Sequence, residues 1–165
     1  MNYNLLAAII AILMAAFSVI SLVVQGHRWR RALQTDHTFR LIEKFYSPEM
    51  RDIRRLAARK ILNNEISNYE DVYQLLDFFI LIGTLIKKKA LSLDLIYTLF
   101  EYWIVRYWYV TKPKIEELRR VHHDKDLCMT FEKLAGILEN HRKQRGIKPI
   151  SEKEAGLFLQ AEAKE

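Results

Sequence analysis

Residues Leu5 to Val24 read LLAAIIAILMAAFSVISLVV, twenty positions without a charge and with Ser18 and Ser21 as the only polar side chains. At about 1.5 Å per residue, a helix of that length is ~30 Å long, the thickness of a bilayer's hydrocarbon core. Twelve of the twenty are Leu, Ile, Val or Phe. Together they favour insertion into lipid by ~4 to 7 kcal/mol at most, because positions near the ends count less. A helix buried in a water-soluble domain would keep one polar stripe, and none can be drawn here. The run therefore predicts a transmembrane helix.

A cleaved signal peptide would carry basic residues before its apolar core and a small-x-small site after it. Met1 to Asn4 carry no charged side chain, and Arg28, Arg30 and Arg31 follow the run instead. The expectation is a retained, single-pass anchor over residues 1–24. Positive flanks stay on the cytoplasmic side, so the N-terminus is expected outside and the rest inside a bacterial inner membrane. Tyr3 and Trp29 suit the two interfacial belts. The one cysteine, Cys128, agrees with a reducing compartment.

The remainder is long enough for one domain with its own core. Gly and Pro are scarce, at five and three in the whole chain, and alternating strand patterns are few. That composition predicts an all-α fold: one N-terminal membrane helix and a cytoplasmic bundle of five or six helices. Charge is uneven. Residues 25–60 hold ten basic and four acidic side chains, an excess equal to the +6 of the entire protein. The surplus thus lies just past the anchor, where anionic lipid attracts each nearby cation by about 1 kcal/mol over a Debye length of ~8 Å.

The anchor is expected to continue as a basic juxtamembrane helix over 25–46. Ser47-Pro48-Glu49 reads as a cap, a first-turn proline and an acid at the positive helix end. A helical domain follows over 47–145. Its second helix spans about 48–63. A third, apolar nearly all round, spans about 69–88, with Asn68 as its cap, Gly83 inside it and Lys87-Lys88-Lys89 at its negative end. A fourth, rich in Tyr and Trp, runs from Ser92 and Asp94 to about Tyr109. Pro113 is expected to start a fifth, to about His123, and a sixth covers about 125–145. Residues 146–165 form a linker and a short amphipathic helix opened by the capping box Ser151 to Glu154.

The stretch from Tyr73 to Leu134 carries Leu75-Leu76-Asp77-Phe78-Phe79, Leu93-Asp94-Leu95-Ile96 and Trp103-Ile104-Val105-Arg106-Tyr107-Trp108. Pro113, Ile115, Glu116, Arg119 and Phe131-Glu132 follow. Over about residues 40–140 this resembles the bacterial family called domain of unknown function 4760. The resemblance implies a short helical protein, often with one membrane helix ahead of it, and no catalytic residue. A glycine expected in the turn after the third helix is replaced here by Lys88 or Lys89.

Candidate chemistry is sparse. His122, His123, Asp124 and Asp126, near Cys128, are the only cluster of metal-ligand types, and a divalent metal needs three or four converging. Helix-end electrostatics explain the same residues without a metal. A His-Asp pair is also the core of one phosphohydrolase signature, but the partner ligands of that signature find no place. Arg106 is expected to pair with Asp77 or Glu116, and Glu101 is a second charge in the aromatic helix that needs a partner. No Gly-rich phosphate loop, nucleophile elbow or cofactor motif occurs.

Arg51, Arg55 and Arg59 line one face of the second helix and, with Arg28, Arg30 and Arg31, make a basic membrane-surface patch. Ala7, Ala11 and Ala15, with Ser18 nearby, give the anchor a small-residue face for helix association. The expected role is a membrane-anchored, non-catalytic binding or scaffold module in an inner-membrane complex. It would meet anionic lipid, and a protein partner or a second copy through its helices. The alternatives are a tethered metal-dependent hydrolase and a membrane-surface nucleic-acid binder. The neutral remainder of the chain speaks against the latter.

Overall fold

The computed structural model describes the backbone of residues 3–64 and 70–164, and their side chains except those of residues 3–12, 15 and 27. Six helices follow one another: α1 (Tyr3–Phe45), α2 (Pro48–Asn63), α3 (Glu70–Lys87), α4 (Leu93–His122), α5 (Met129–Gln144) and α6 (Glu152–Glu162). Among the described residues there is no strand.

Helix α1 is unbroken over 43 residues, as the lack of a stop between the apolar run and Tyr46 predicts. Its two ends behave differently. Through Leu33 the described side chains are exposed apart from a half-buried Ser21. Thr38, Leu41 and Phe45, at helical spacing, are buried and dock the last turns on the bundle. The N-terminal part is therefore a stalk. The span expected over residues 5–24 lies partly outside the described side chains, and among the described residues no helix is long and apolar enough to cross a membrane.

The break between α1 and α2 forms as the local chemistry requires. Ser47 is extended and its hydroxyl accepts from the Met50 amide at 3.2 Å, Pro48 takes the first helical position, and Asn64 ends the helix in the left-handed region at φ 51°. Helix α3 runs back antiparallel to α1. Phe78 and Phe79 pack at Phe45, and Gln34 reaches the turn beyond Lys87. Asn68 lies outside the described residues. Gly83 is required by packing: a Cβ there would sit 2.8 Å from the Thr130 methyl on α5.

Phe45 is the hub of the core. It stacks on Phe78 at 5.5 Å and meets Phe100 and Trp103 edge-on at 5.4 and 5.0 Å. Phe79 stacks on Phe131 of α5 at 5.2 Å. Such ring pairs add about 0.5–1.5 kcal/mol each beyond the area they bury.

The expected fourth and fifth helices are one. Pro113 does not start a helix; it lies inside α4. Its ring occupies an exposed position, while Trp108, Thr111 and Ile115 bury the opposite face on both sides of it. Continuous burial across the missing hydrogen bond outweighs the local cost of proline, about 3 kcal/mol. Helix α5 also begins later than expected, because residues 124–128 form a turn.

Helix α6 returns along the bundle. The Ser151 capping box is complete, and Ala155, Phe158 and Leu159 are buried. Phe158 meets Tyr107 edge-on at 4.9 Å.

Candidate functional site

The described surface with the clearest chemical character is where the stalk leaves the bundle. Arg28, Arg30 and Arg31 are exposed on α1. Against Arg30 lies the α3–α4 turn, which carries Lys87, Lys88 and Lys89, all exposed. Gln34 Nε2 donates to the Lys89 carbonyl at 3.0 Å, and Arg30 Nη2 donates to the same oxygen at 3.5 Å. One carbonyl thus fixes the turn against the stalk.

The turn is a Schellman-type helix end, in which the Lys89 amide donates to Ile86 O and the Ala90 amide to Leu85 O, both at 2.8 Å. Lys89 sits at φ 57°, in the left-handed region that favours glycine. The missing glycine noted in the sequence falls at this place. At the end of α5 the same turn carries Gly146 at φ 73°. Sequence reasoning assigned the three lysines only to the α3 dipole. The run of three at a helix end was the signal, but its closeness to Arg30 is a tertiary fact.

The other half of the expected basic patch is occupied within the body. Arg51 donates to the Tyr46 carbonyl at 3.2 Å, Arg55 pairs with Asp52 at 2.5 Å, and Arg59 donates to the Ala163 carbonyl at 3.1 Å. From Arg31 to Phe45 the unbroken helix adds about 21 Å. The two arginine groups are therefore not one surface.

A buried polar cluster went unread in the sequence. Arg54 is 2 % exposed and Glu162 6 %. Their charges lie 3.7 Å apart. Glu162 also accepts from Tyr107 Oη at 2.9 Å and Trp103 Nε1 at 3.2 Å, and the Arg54 guanidinium rests 4.4 Å from the Phe45 ring centre. The cluster joins α1, α2, α4 and α6. A signal existed: Arg54 falls on the stripe of Met50, Ala57, Ala58 and Ile61, where a charge must find a partner.

Arg106 does not pair with Asp77 or Glu116. Its guanidinium stacks on Tyr102 at 3.8 Å and donates to the Tyr102 carbonyl at 3.0 Å, while Glu116 meets Lys112 at 3.8 Å. Arg142 of α5 takes the role expected in this helix, pairing with Glu101 and donating to the Lys148 carbonyl. These contacts tie the linker before α6 to α4 and α5.

His122, His123, Asp124 and Asp126 are all exposed. His123 ends α4 in the left-handed region, and the Asp124 carboxylate accepts from the Asp126 amide at 2.9 Å. These are turn-forming roles. Among the described residues no three His, Cys, Asp or Glu side chains form a group able to hold a metal. Burial pushes the Cys128 thiol up, against the pull of Arg119, which favours its neutral form. Ala7, Ala11 and Ala15 lie outside the described side chains, and the Ser18 hydroxyl bonds its own helix at Met14 O, 2.9 Å.

A small cavity of about 220 Å³ lies between α2, α3 and α4, lined by Ile61, Val72, Leu76, Val110 and Thr111 among others. It contains none of the expected ligand residues; Lys114 and Glu117, paired at 2.8 Å, also line it.

A family described as "Domain of unknown function (DUF4760)" matches residues 5–137. No curated protein and no solved structure matches the chain.

Proposed function

Because the chain belongs to the DUF4760 family, whose match starts inside the apolar run at residue 5, we propose that it is a membrane-anchored, non-catalytic binding or scaffold module. The supporting observation is the stalk. Leu13, Phe17, Ile20, Leu22 and Val23 are each more than half exposed. The body meanwhile completes a core without them. An exposed apolar surface of this extent marks a lipid or partner contact, and the run has the length of a bilayer core. In this reading the N-terminus lies outside, the helical body lies in the cytoplasm, and the arginines after the run hold the exit of the stalk at the inner leaflet. The body then offers its helical surface to a protein partner of an inner-membrane complex. A second copy associating through Ala7, Ala11, Ala15 and Ser18 is the other arrangement.

The test is fractionation of the full chain expressed in a bacterium. It should pellet with membranes, resist alkaline extraction and dissolve only in detergent. A C-terminal tag should be cut by protease only after the inner membrane is broken. Full-length chain found in the soluble fraction, or a tag cut in intact spheroplasts, would overturn the proposal.

A further inference from the structure

We propose that the α3–α4 turn, Lys87 to Lys89, is a second membrane contact, binding anionic phospholipid headgroups beside Arg28, Arg30 and Arg31. This rests on the anchored reading above and adds a fixed orientation of the body to it. Two observations carry the inference.

The first is register. Arg30 and Gln34 hold the Lys89 carbonyl, and these residues lie six and ten positions past Val24. Helical rise puts them about 9 and 15 Å beyond the end of the apolar run. The polar layer of a bilayer is roughly 5 to 8 Å deep on each side. A lysine side chain extended from the turn spans the remaining gap, and its compact ammonium suits a phosphate.

The second is charge without compensation. Among the described residues none of the six cations pairs with a carboxylate within 4.0 Å. The nearest acids in sequence are Asp94, which opens α4, and Asp36, which pairs with Arg40 at 3.0 Å. On the α2 stripe Arg55 is neutralised by Asp52, while Arg51 and Arg59 bond only carbonyl oxygens, as Arg30 does. Six unneutralised cations at one level repel one another, and an anionic surface removes that repulsion.

Lys89 itself supplies the test. It holds a left-handed position that glycine fills at the matching end of α5. Asn64, His123 and Cys128 hold the same region at other helix ends, so at Lys89 too it serves the turn, where glycine costs less. Replacing Lys89 with glycine should therefore make the fold more stable while making the contact weaker, and loss of fold alone cannot produce that pair of opposite signs.

The experiment uses the full chain in nanodiscs of phosphatidylcholine alone or with three parts in ten phosphatidylglycerol. An environment-sensitive dye is attached at Ala90→Cys in a Cys128→Ser background. Emission should shift to the blue in the anionic discs only, and 0.5 M salt should reverse the shift. The triple variant Lys87→Gln, Lys88→Gln, Lys89→Gly should abolish it, each lysine being worth about fivefold in apparent affinity. Lys89→Gly alone should weaken the shift and raise the melting temperature.

An identical spectrum in both discs, with the chain inserted, overturns the inference. A shift in neutral discs on adding inorganic phosphate or a short oligonucleotide, as large as that from the anionic lipid, overturns the assignment to lipid. Failure of the chain to enter discs at all is a different result and removes the anchored reading instead.

Discussion

Phe17 and Phe79 are the same side chain on helices of the same protein, yet Phe17 is 74 % exposed and Phe79 is fully buried. The stalk and the core of the bundle both draw on Leu, Ile, Val, Ala and Phe. What separates them is what each apolar face meets. In the bundle, polar residues punctuate every helix and leave a face that neighbouring helices cover. In the stalk no polar face exists, so no packing of helices on one side could cover it. Burial within a chain needs an amphipathic pattern, and a segment without one must find an apolar medium or a partner on all sides. The boundary between the regimes falls between Leu33 and Thr38, where the first buried side chain of α1 appears.

The largest effects should come from exchanging the same substitution between the two regions. Phe79→Ala should destabilise the bundle by about 4 kcal/mol in chemical denaturation, because the cavity sits against Phe131 and Tyr107. Phe17→Ala should leave that transition unchanged. Ile20→Arg should behave inversely, leaving the bundle intact while opposing insertion by roughly 3 kcal/mol, seen as loss from the membrane fraction. If Phe17→Ala unfolded the bundle as Phe79→Ala does, the division of α1 into stalk and body would be wrong.

Arg54→Met should cost about 3 kcal/mol. It preserves bulk but strands the Glu162 carboxylate away from water. Adding Glu162→Gln should restore part of that loss, since Tyr107 and Trp103 still hold the side chain. Equal losses for the single and double variants would show that packing of the arginine stem, and not its charge, matters at this junction.

Gly83→Ala sharpens the comparison on a smaller scale. Helix propensity favours alanine by about 1 kcal/mol, while overpacking against Thr130 costs roughly 1–3 kcal/mol. A net loss of about 1 kcal/mol is expected, recovered in Gly83→Ala with Thr130→Ser, which removes the methyl in contact. Gly26→Ala in the stalk meets nothing within 4 Å and should only strengthen its helix.

These elements also show how far the chain could be read without its structure. Caps are local chemistry, so the start of α2 at Ser47-Pro48 and the box at Ser151 to Glu154 were legible, as were the apolar α3 and the unbroken α1. Pro113 was misread because the local rule for proline carries no knowledge of the face that Trp108 and Ile115 bury across it. The partner of Glu101 was missed for a similar reason. Arg142 lies forty-one residues away, and spacing within one helix cannot find it. The stalk exit was half legible: its arginines are adjacent in sequence, but Lys87 to Lys89 join them only through the fold. His123 and Asp124 were read as helix-end electrostatics; Asp124 instead bonds the Asp126 amide within the turn, and α5 opens only at Met129.

The smallest effect concerns the end of the molecule farthest along the chain. Glu154 is held below the usual carboxylate range, first by the Ser151 amide and then by the Ser151 hydroxyl, which donate at 2.9 and 3.0 Å. Its folded pKa lies under its ordinary value of 4.5. The linkage sign therefore makes its contribution complete above that value and progressively lost as pH falls through the folded one. The residue is exposed, so solvent keeps the effect small. Acid should loosen the start of α6 before the stalk or the core respond, since neither contains a comparable capped carboxylate among the described residues. Protection of the Glu154 and Ala155 amides, taken as exchange relative to the intrinsic rate at each pH, should fall as pH drops through the folded pKa in the native chain. Glu154→Gln should leave that protection constant over the same range. Protection falling equally in both proteins would place the acid sensitivity of this end elsewhere.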